Sequence, residues 1–206
     1  MTIAEKFGQA QQDLANVYNV GFAKFRELVS GSNNLISVTA SDLGNITAIK
    51  HGAFADCYRL LNVEIPSSVK TIGRRAFYAC VNITNLVIPD AVTVIEDETF
   101  YFMTGLLDIT LPSNLTSIGV GAFNQCVKLE TITIPSTVTE IKNNAFVRCF
   151  KLKTLTVLAD EPPTLGSSVF YDCNALEKIS VKAESLEKYK SATNWSALAD
   201  IIVGDA

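Results

Sequence analysis

The chain reads as an α/β solenoid: about six coils of 23 residues, a parallel sheet along one face, and a helical cap at the N-terminal end. Three observations carry that reading. Phe54, Phe77, Phe100, Phe123, Phe146 and Phe170 recur at intervals of 23, 23, 23, 23 and 24 residues. All five cysteines, Cys57, Cys80, Cys126, Cys149 and Cys173, stand three residues after one of these phenylalanines, and Met103 fills the remaining copy. The apolar residues that follow each phenylalanine recur in the same register. A unit this small cannot bury its own apolar face, so repetition at such a period implies stacking, each coil touching its neighbours.

Within a coil the elements follow from spacing. Ala53, Ala76, Ala122 and Ala145 each precede a phenylalanine, in a segment that reads as a half-helical turn. Six residues after the phenylalanines come Leu60, Ile83, Leu106, Leu129, Leu152 and Leu176. Alternating pairs follow: Val63 and Ile65, Leu86 and Ile88, Ile109 and Leu111, Ile132 and Ile134, Leu155 and Val157, Ile179 and Val181. Period-two alternation over so few residues is a short strand with one buried face. Pro66, Pro89, Pro112 and Pro135 then end the strand, because proline has no N–H for a ladder. A second apolar pair closes four of the coils: Val69 and Ile72, Val92 and Ile95, Leu115 and Ile118, Val138 and Ile141.

The ends differ from the repeats, as solenoid ends must if the terminal core is to be covered. Residues 1–31 read as the N-terminal cap, 32–182 as the solenoid and 183–206 as the C-terminal cap. Thr2 and Glu5 form a capping-box pair, and Ile3, Phe7, Ala10, Leu14 and Val17 make an amphipathic stripe. Past Gly21 the apolar positions shift to Tyr18, Phe22, Phe25 and Val29, a drift that disfavours a long coiled coil. Leu35, Ile36 and Val38 suggest the strand of a degenerate first coil. Glu184 to Ser191 reads as a short helix, with Trp195, Leu198, Ile201 and Ile202 as its closing apolar set.

The unit I-x-x-x-A-F-x-x-C-x-x-L-x-x-I-x-I-P-x-x-V runs through Ile72 to Val92 and Ile118 to Val138, with only aliphatic exchanges. It resembles the BspA-like leucine-rich repeats of bacterial surface antigens, over about residues 46 to 182. The resemblance implies a right-handed superhelix, adhesion or protein binding, and a cell-surface or secreted location. Met103 in place of cysteine, Thr99 in place of alanine and Leu158 in place of proline depart from the unit.

Composition narrows the function classes. With 48% hydrophobic residues the chain buries a sizeable core, and a net charge of −4 leaves no basic excess for nucleic acid. No apolar run approaches the roughly 20 residues of a membrane span. The opening MTIAEKFGQAQQ lacks the order of a secretory signal, so a cytoplasmic or virion origin stands beside the surface location. With a single histidine, His51, neither a His-rich metal set nor a Ser-His-acid triad can be assembled. The cysteines share one repeat position and read as buried hydrophobes. Glu96, Asp97 and Glu98, with the nearby Asp90 and Asp108, could attract a hard cation such as calcium, but such a run reads first as a solvated turn. The expectation is a non-enzyme without cofactor or metal.

What remains is the outward face of the strands. Its columns are Asn62, Asn85, Asp108, Thr131, Thr154, Lys178 and Glu64, Val87, Thr110, Thr133, Thr156, Ser180, and these are the candidate partner-binding residues. Short hydroxyl and amide side chains favour strands and lose little entropy when ordered. They suit a protein ligand, with a glycan as the second class; the absence of aromatics from the columns argues against sugar stacking. Lys128, Lys142, Arg148, Lys151 and Lys153 form a modest basic band, five basic residues against two acidic ones over residues 109–158. The alternative is a structural or assembly subunit, for example of a phage or surface structure, that docks or oligomerises through its N-terminal helix.

Overall fold

The structure is a computed structural model that describes residues 37–205. The helix expected over residues 2–29, with the expected strand residues Leu35 and Ile36, lies outside the described residues. Two series of short parallel strands alternate along the chain. The first comprises β1 (Ser37–Val38), β3 (Asn62–Val63), β5 (Asn85–Val87), β7 (Asp108–Thr110), β9 (Thr131–Ile134), β11 (Thr154–Val157), β13 (Lys178–Val181) and β14 (Ile202–Gly204). The second comprises β2 (Ala48–Ile49), β4 (Thr71–Ile72), β6 (Val94–Ile95), β8 (Ser117–Ile118), β10 (Glu140–Ile141) and β12 (Thr164–Leu165). Repeated parallel strands with few helices fit the solenoid expected from the sequence. The second series is a correction: the apolar pairs after the prolines also build strands, so the sheet is not confined to one face.

The prolines explain how one strand hands over to the next. Each ends its strand, and its carbonyl then accepts the N–H three residues on: Val69 to Pro66 at 3.0 Å, Val92 to Pro89 at 3.0 Å, Leu115 to Pro112 at 3.1 Å, Val138 to Pro135 at 3.2 Å. The turn delivers the chain into the second strand. Leu158, which replaces the proline, restores the missing donor, and its N–H bonds the Ile134 carbonyl at 3.0 Å.

The phenylalanine segment is not half-helical. Two positions per coil take left-handed backbone: Arg75, Glu98, Asn144 and Ser168 two residues before a phenylalanine, and Asp56, Ala79, Phe102, Gln125, Arg148 and Asp172 two residues after. Only Gly52 and Gly121 meet this requirement with glycine. For other residues it costs on the order of 1–2 kcal/mol each. The conformation turns alternate N–H groups toward the next coil, where they bond: Phe54 to Ala76, Phe77 to Thr99, Phe100 to Ala122, Phe123 to Ala145 and Phe146 to Val169, at 2.7 to 3.0 Å. That ladder offsets the strain and aligns the rings.

Phe54, Phe77, Phe100, Phe123, Phe146 and Phe170 stack in sequence with centroids 5.0, 5.8, 5.2, 5.1 and 5.7 Å apart, within the range aromatic pairs favour. The buried thiols bond across coils: Cys80, Cys126, Cys149 and Cys173 donate to the carbonyls of Phe54, Phe100, Phe123 and Phe146 at 3.0, 3.3, 3.2 and 3.0 Å. Thr99, in the alanine position, is buried, and its hydroxyl donates to the Glu96 carbonyl at 2.7 Å.

At the near end of the described chain, Thr39 caps α1 (Ala40–Leu43) with a reciprocal Thr39–Asp42 box. At the far end, a short 3-10 turn leads into α2 (Leu186–Ser191), close to the helix expected there. Trp195 is buried, lies 6.4 Å from Phe170 and 5.1 Å from Tyr189, and donates from Nε1 to the Pro163 carbonyl at 2.8 Å. Tyr189 Oη donates to the Ala159 carbonyl at 3.0 Å. The aromatic column therefore ends on hydrogen-bonded rings instead of an open apolar surface.

Candidate functional site

The chemistry-bearing residues are mostly committed elsewhere. His51 is exposed in its turn. Of the acidic triplet, Glu98 receives Arg74 at 2.9 Å and also Arg75. Partial burial pushes the Glu98 carboxyl up, but the two guanidinium hydrogen bonds outweigh it and hold it below the ordinary carboxylate range. Asp97 Oδ1 accepts the Val120 N–H at 2.8 Å. Among the described residues no three His, Cys, Asp or Glu side chains converge on a metal position.

The basic band is partly neutralised. Lys142 lies 3.9 Å from Glu140, Arg148 is 3.3 Å from Asp172 and Lys153 is 3.0 Å from Glu130. These surface pairs contribute little stability, but they leave less positive field than the sequence count suggests.

Burial pushes the Cys80 and Cys126 thiols up, so they present almost no thiolate near neutrality. All five cysteines are buried, and Cys173 is the least enclosed. A thiol-labelling time course on the native protein is expected to modify Cys173 first and the others about a hundredfold or more slower than in denaturant. Fast labelling of Cys80 or Cys126 would show that the coils open.

The strand face is where polar side chains reach solvent. Asn62, Glu64, Asn85, Val87, Asp108, Thr110, Thr131 and Thr133 are exposed, and Thr154, Thr156 and Lys178 are partly so. Register brings several together: Thr154 between Thr131 and Lys178, Thr156 between Thr133 and Ser180, Asn85 beside Asp108, Val87 beside Thr110. Ser180 is a correction, since it is only 6% exposed. Strand β14 pairs with β13 and places Val203 beside Ser180, while Asp205 lies 2.5 Å from Lys178. Hydrogen bonds from Lys178 and Ser180 hold the Asp205 carboxyl below its ordinary range. The C-terminal tail thus occupies the end of the face that the sequence had offered to a ligand.

The face is also not one sheet. Strands β1 and β3 pair, β5 and β7 pair, and β9, β11, β13 and β14 form a third block. Asp108 and Thr131 are therefore not ladder neighbours, nor are Thr110 and Thr133. Between β7 and β9 lies a groove of about 580 Å³ lined by Asp108, Thr110, Thr131 and Thr133. Asp90, Ser113, Ser136, Pro135, Leu111 and Leu158 complete its wall. Asp90, Ser113 and Ser136 each follow a strand-ending proline, and that shared spacing is the signal in the sequence that marks them as neighbours of the face. Val87, 64% exposed, is the apolar member of the columns.

Similarity to known proteins agrees with this architecture. A search of curated proteins returns no match. Among solved structures, the T. pallidum leucine rich repeat protein matches with a TM-score of 0.61 and 27% identity over 68% of this chain and 78% of that one. A leucine rich cell surface protein from Faecalibacterium prausnitzii A2-165 covers 87% of this chain and 66% of its own at 20% identity and TM-score 0.42. A Bacteroides ovatus leucine-rich repeat protein covers 72% and 64% at 20% identity and TM-score 0.43. Among the described residues no helix is long and apolar enough to cross a membrane. The model of the BspA type leucine rich repeat region matches residues 28–153 and 122–203 in six copies. Such repeats are generally non-catalytic protein-interaction modules, and with that match running over most of its length, this chain belongs to the BspA type leucine-rich repeat family.

Proposed function

We propose that the chain is a non-catalytic binding module that recognises protein through its strand face, in an adhesive setting at a cell surface. The carrying observation is the set of short polar side chains, Thr131, Thr133, Thr154 and Thr156 above all, held in register on hydrogen-bonded strands. Rigid backbone under short side chains presents donors and acceptors whose ordering costs little on binding. The exposed aromatics Tyr58, Phe102, Phe150 and Tyr171 belong to the phenylalanine turns and not to the strand columns, which favours protein over glycan. A right-handed course, about six coils and an N-terminal cap over residues 1–31 complete this reading, with 32–182 as solenoid and 183–206 as the closing cap.

A phage-displayed library of random peptides, selected on the full chain and re-measured on Thr131→Arg/Thr154→Arg, tests it. Selected peptides are expected to lose tenfold or more in affinity on the variant while its melting temperature stays within a few degrees. Equal binding to both proteins would remove the face from the function. A defined oligomer that truncation of residues 1–30 converts to a folded monomer would instead favour an assembly subunit that docks through its N-terminal helix.

A further inference from the structure

The strand face carries more than its threonines. Strand β7 pairs back to β5 and β9 pairs on to β11, and no backbone hydrogen bond joins Leu107–Leu111 to Glu130–Ile134. The opening is local. On the other side of the same two coils β8 pairs with both β6 and β10, and the turn bonds Phe100 to Ala122 at 2.9 Å and Phe102 to Asn124 at 2.8 Å. Where the third coil enters β7 its backbone sits close against the second coil, since a Cβ on Gly105 would lie 2.2 Å from the Val81 carbonyl oxygen. The groove lies on the other side of β7, toward the fourth coil.

We propose that this groove is the specificity subsite of the face, taking a lysine or arginine side chain from an extended segment of the partner protein. The inference rests on the binding reading above. Its lining carries two carboxylates, Asp90 and Asp108, and no Lys, Arg or His. Asp90 Oδ1 accepts from Ser113 N at 2.9 Å and Ser113 Oγ at 3.0 Å, which fixes the carboxylate at the rim between the second and third coils. Those hydrogen bonds also hold its carboxyl below the ordinary range, so it stays charged. Leu111 and Leu158, half-buried, supply apolar wall. A basic side chain matches that arrangement, with its aliphatic stem along the leucines and its charged head at the carboxylates. The unpaired strand edges add carbonyl acceptors of the kind a guanidinium fork satisfies. Two cations of the fifth coil are held elsewhere, Arg148 on Asp172 and Lys153 on Glu130.

Fluorescence anisotropy of the library-selected peptides, on wild type, Asp108→Asn and Thr131→Arg/Thr154→Arg, decides it. The selected peptides are expected to share a basic residue. Asp108→Asn should weaken them about tenfold or more, and replacing that peptide residue by glutamine should cost little further on the Asp108→Asn protein. Asp108→Thr, which copies the residue at Thr131 and Thr154, serves as a second variant should asparagine fail to fold. Peptides lost on the arginine variant but indifferent to both Asp108 variants, or lacking basic residues, overturn the subsite and leave the face reading standing. Peptides indifferent to all variants, or no peptides at all, overturn both.

Discussion

Alanine at Phe123 is expected to lower the unfolding free energy by about 3–5 kcal/mol, the usual cost of emptying a buried aromatic site. Phe123 is fully buried between Phe100 at 5.2 Å and Phe146 at 5.1 Å. Removing it takes one layer from a continuous column. The neighbours cannot close the gap easily, because each coil is pinned to the next by the Phe100–Ala122 and Phe123–Ala145 backbone bonds. A repeat protein divides its stability among units and nearest-neighbour interfaces. The damage should therefore concentrate where coils three, four and five meet, and a sharp urea transition should broaden or split. Circular dichroism across a urea titration reads both effects. A loss below 1 kcal/mol with an unchanged slope would mean that the rings are not a cooperative column.

Trp195→Ala is expected to have an effect of similar size, about 3–5 kcal/mol, but at the end of the column. Trp195 covers Phe170, meets Tyr189 edge-on and satisfies the Pro163 carbonyl. Without it the last coil loses its lid, and β14 with its Asp205 contact to Lys178 loses support. The accompanying sign is chemical: Cys173, which lies in that coil, should become the fastest-labelled thiol by a wide margin. Trp195→Phe separates the two contributions. It keeps most of the apolar area but leaves the carbonyl without its donor, at a cost of about 1–3 kcal/mol. If Trp195→Phe and Trp195→Ala melt at the same temperature, the hydrogen bond and not the packing closes the solenoid.

Nearly all of the buried pattern was legible along the chain. The phenylalanine and cysteine positions, the leucines and the alternating strand residues are local in the sense that each copy repeats the last, so one coil's pattern predicts its neighbour's. Trp195 and Ile202 were likewise readable as a closing set, and both are buried. The departures from the repeat were readable as departures, but not their consequences. That Leu158 adds a strand donor depends on the Ile134 carbonyl of the preceding coil, and that Thr99 finds the Glu96 carbonyl depends on how the turn folds.

Repeat length, core residues and membership in a stacking family are written along the chain, because apolar periodicity and proline placement recur coil by coil. Which face residues stand together is settled only when the coils pack. The paired blocks, the groove between β7 and β9, the burial of Ser180 and the neutralisation of Arg148 and Lys153 arise between coils. They depend on how closely one coil sits against the next, as where the Gly105 backbone leaves no room for a Cβ beside the Val81 carbonyl. No periodicity within one coil encodes that distance, and the candidate site is built from it.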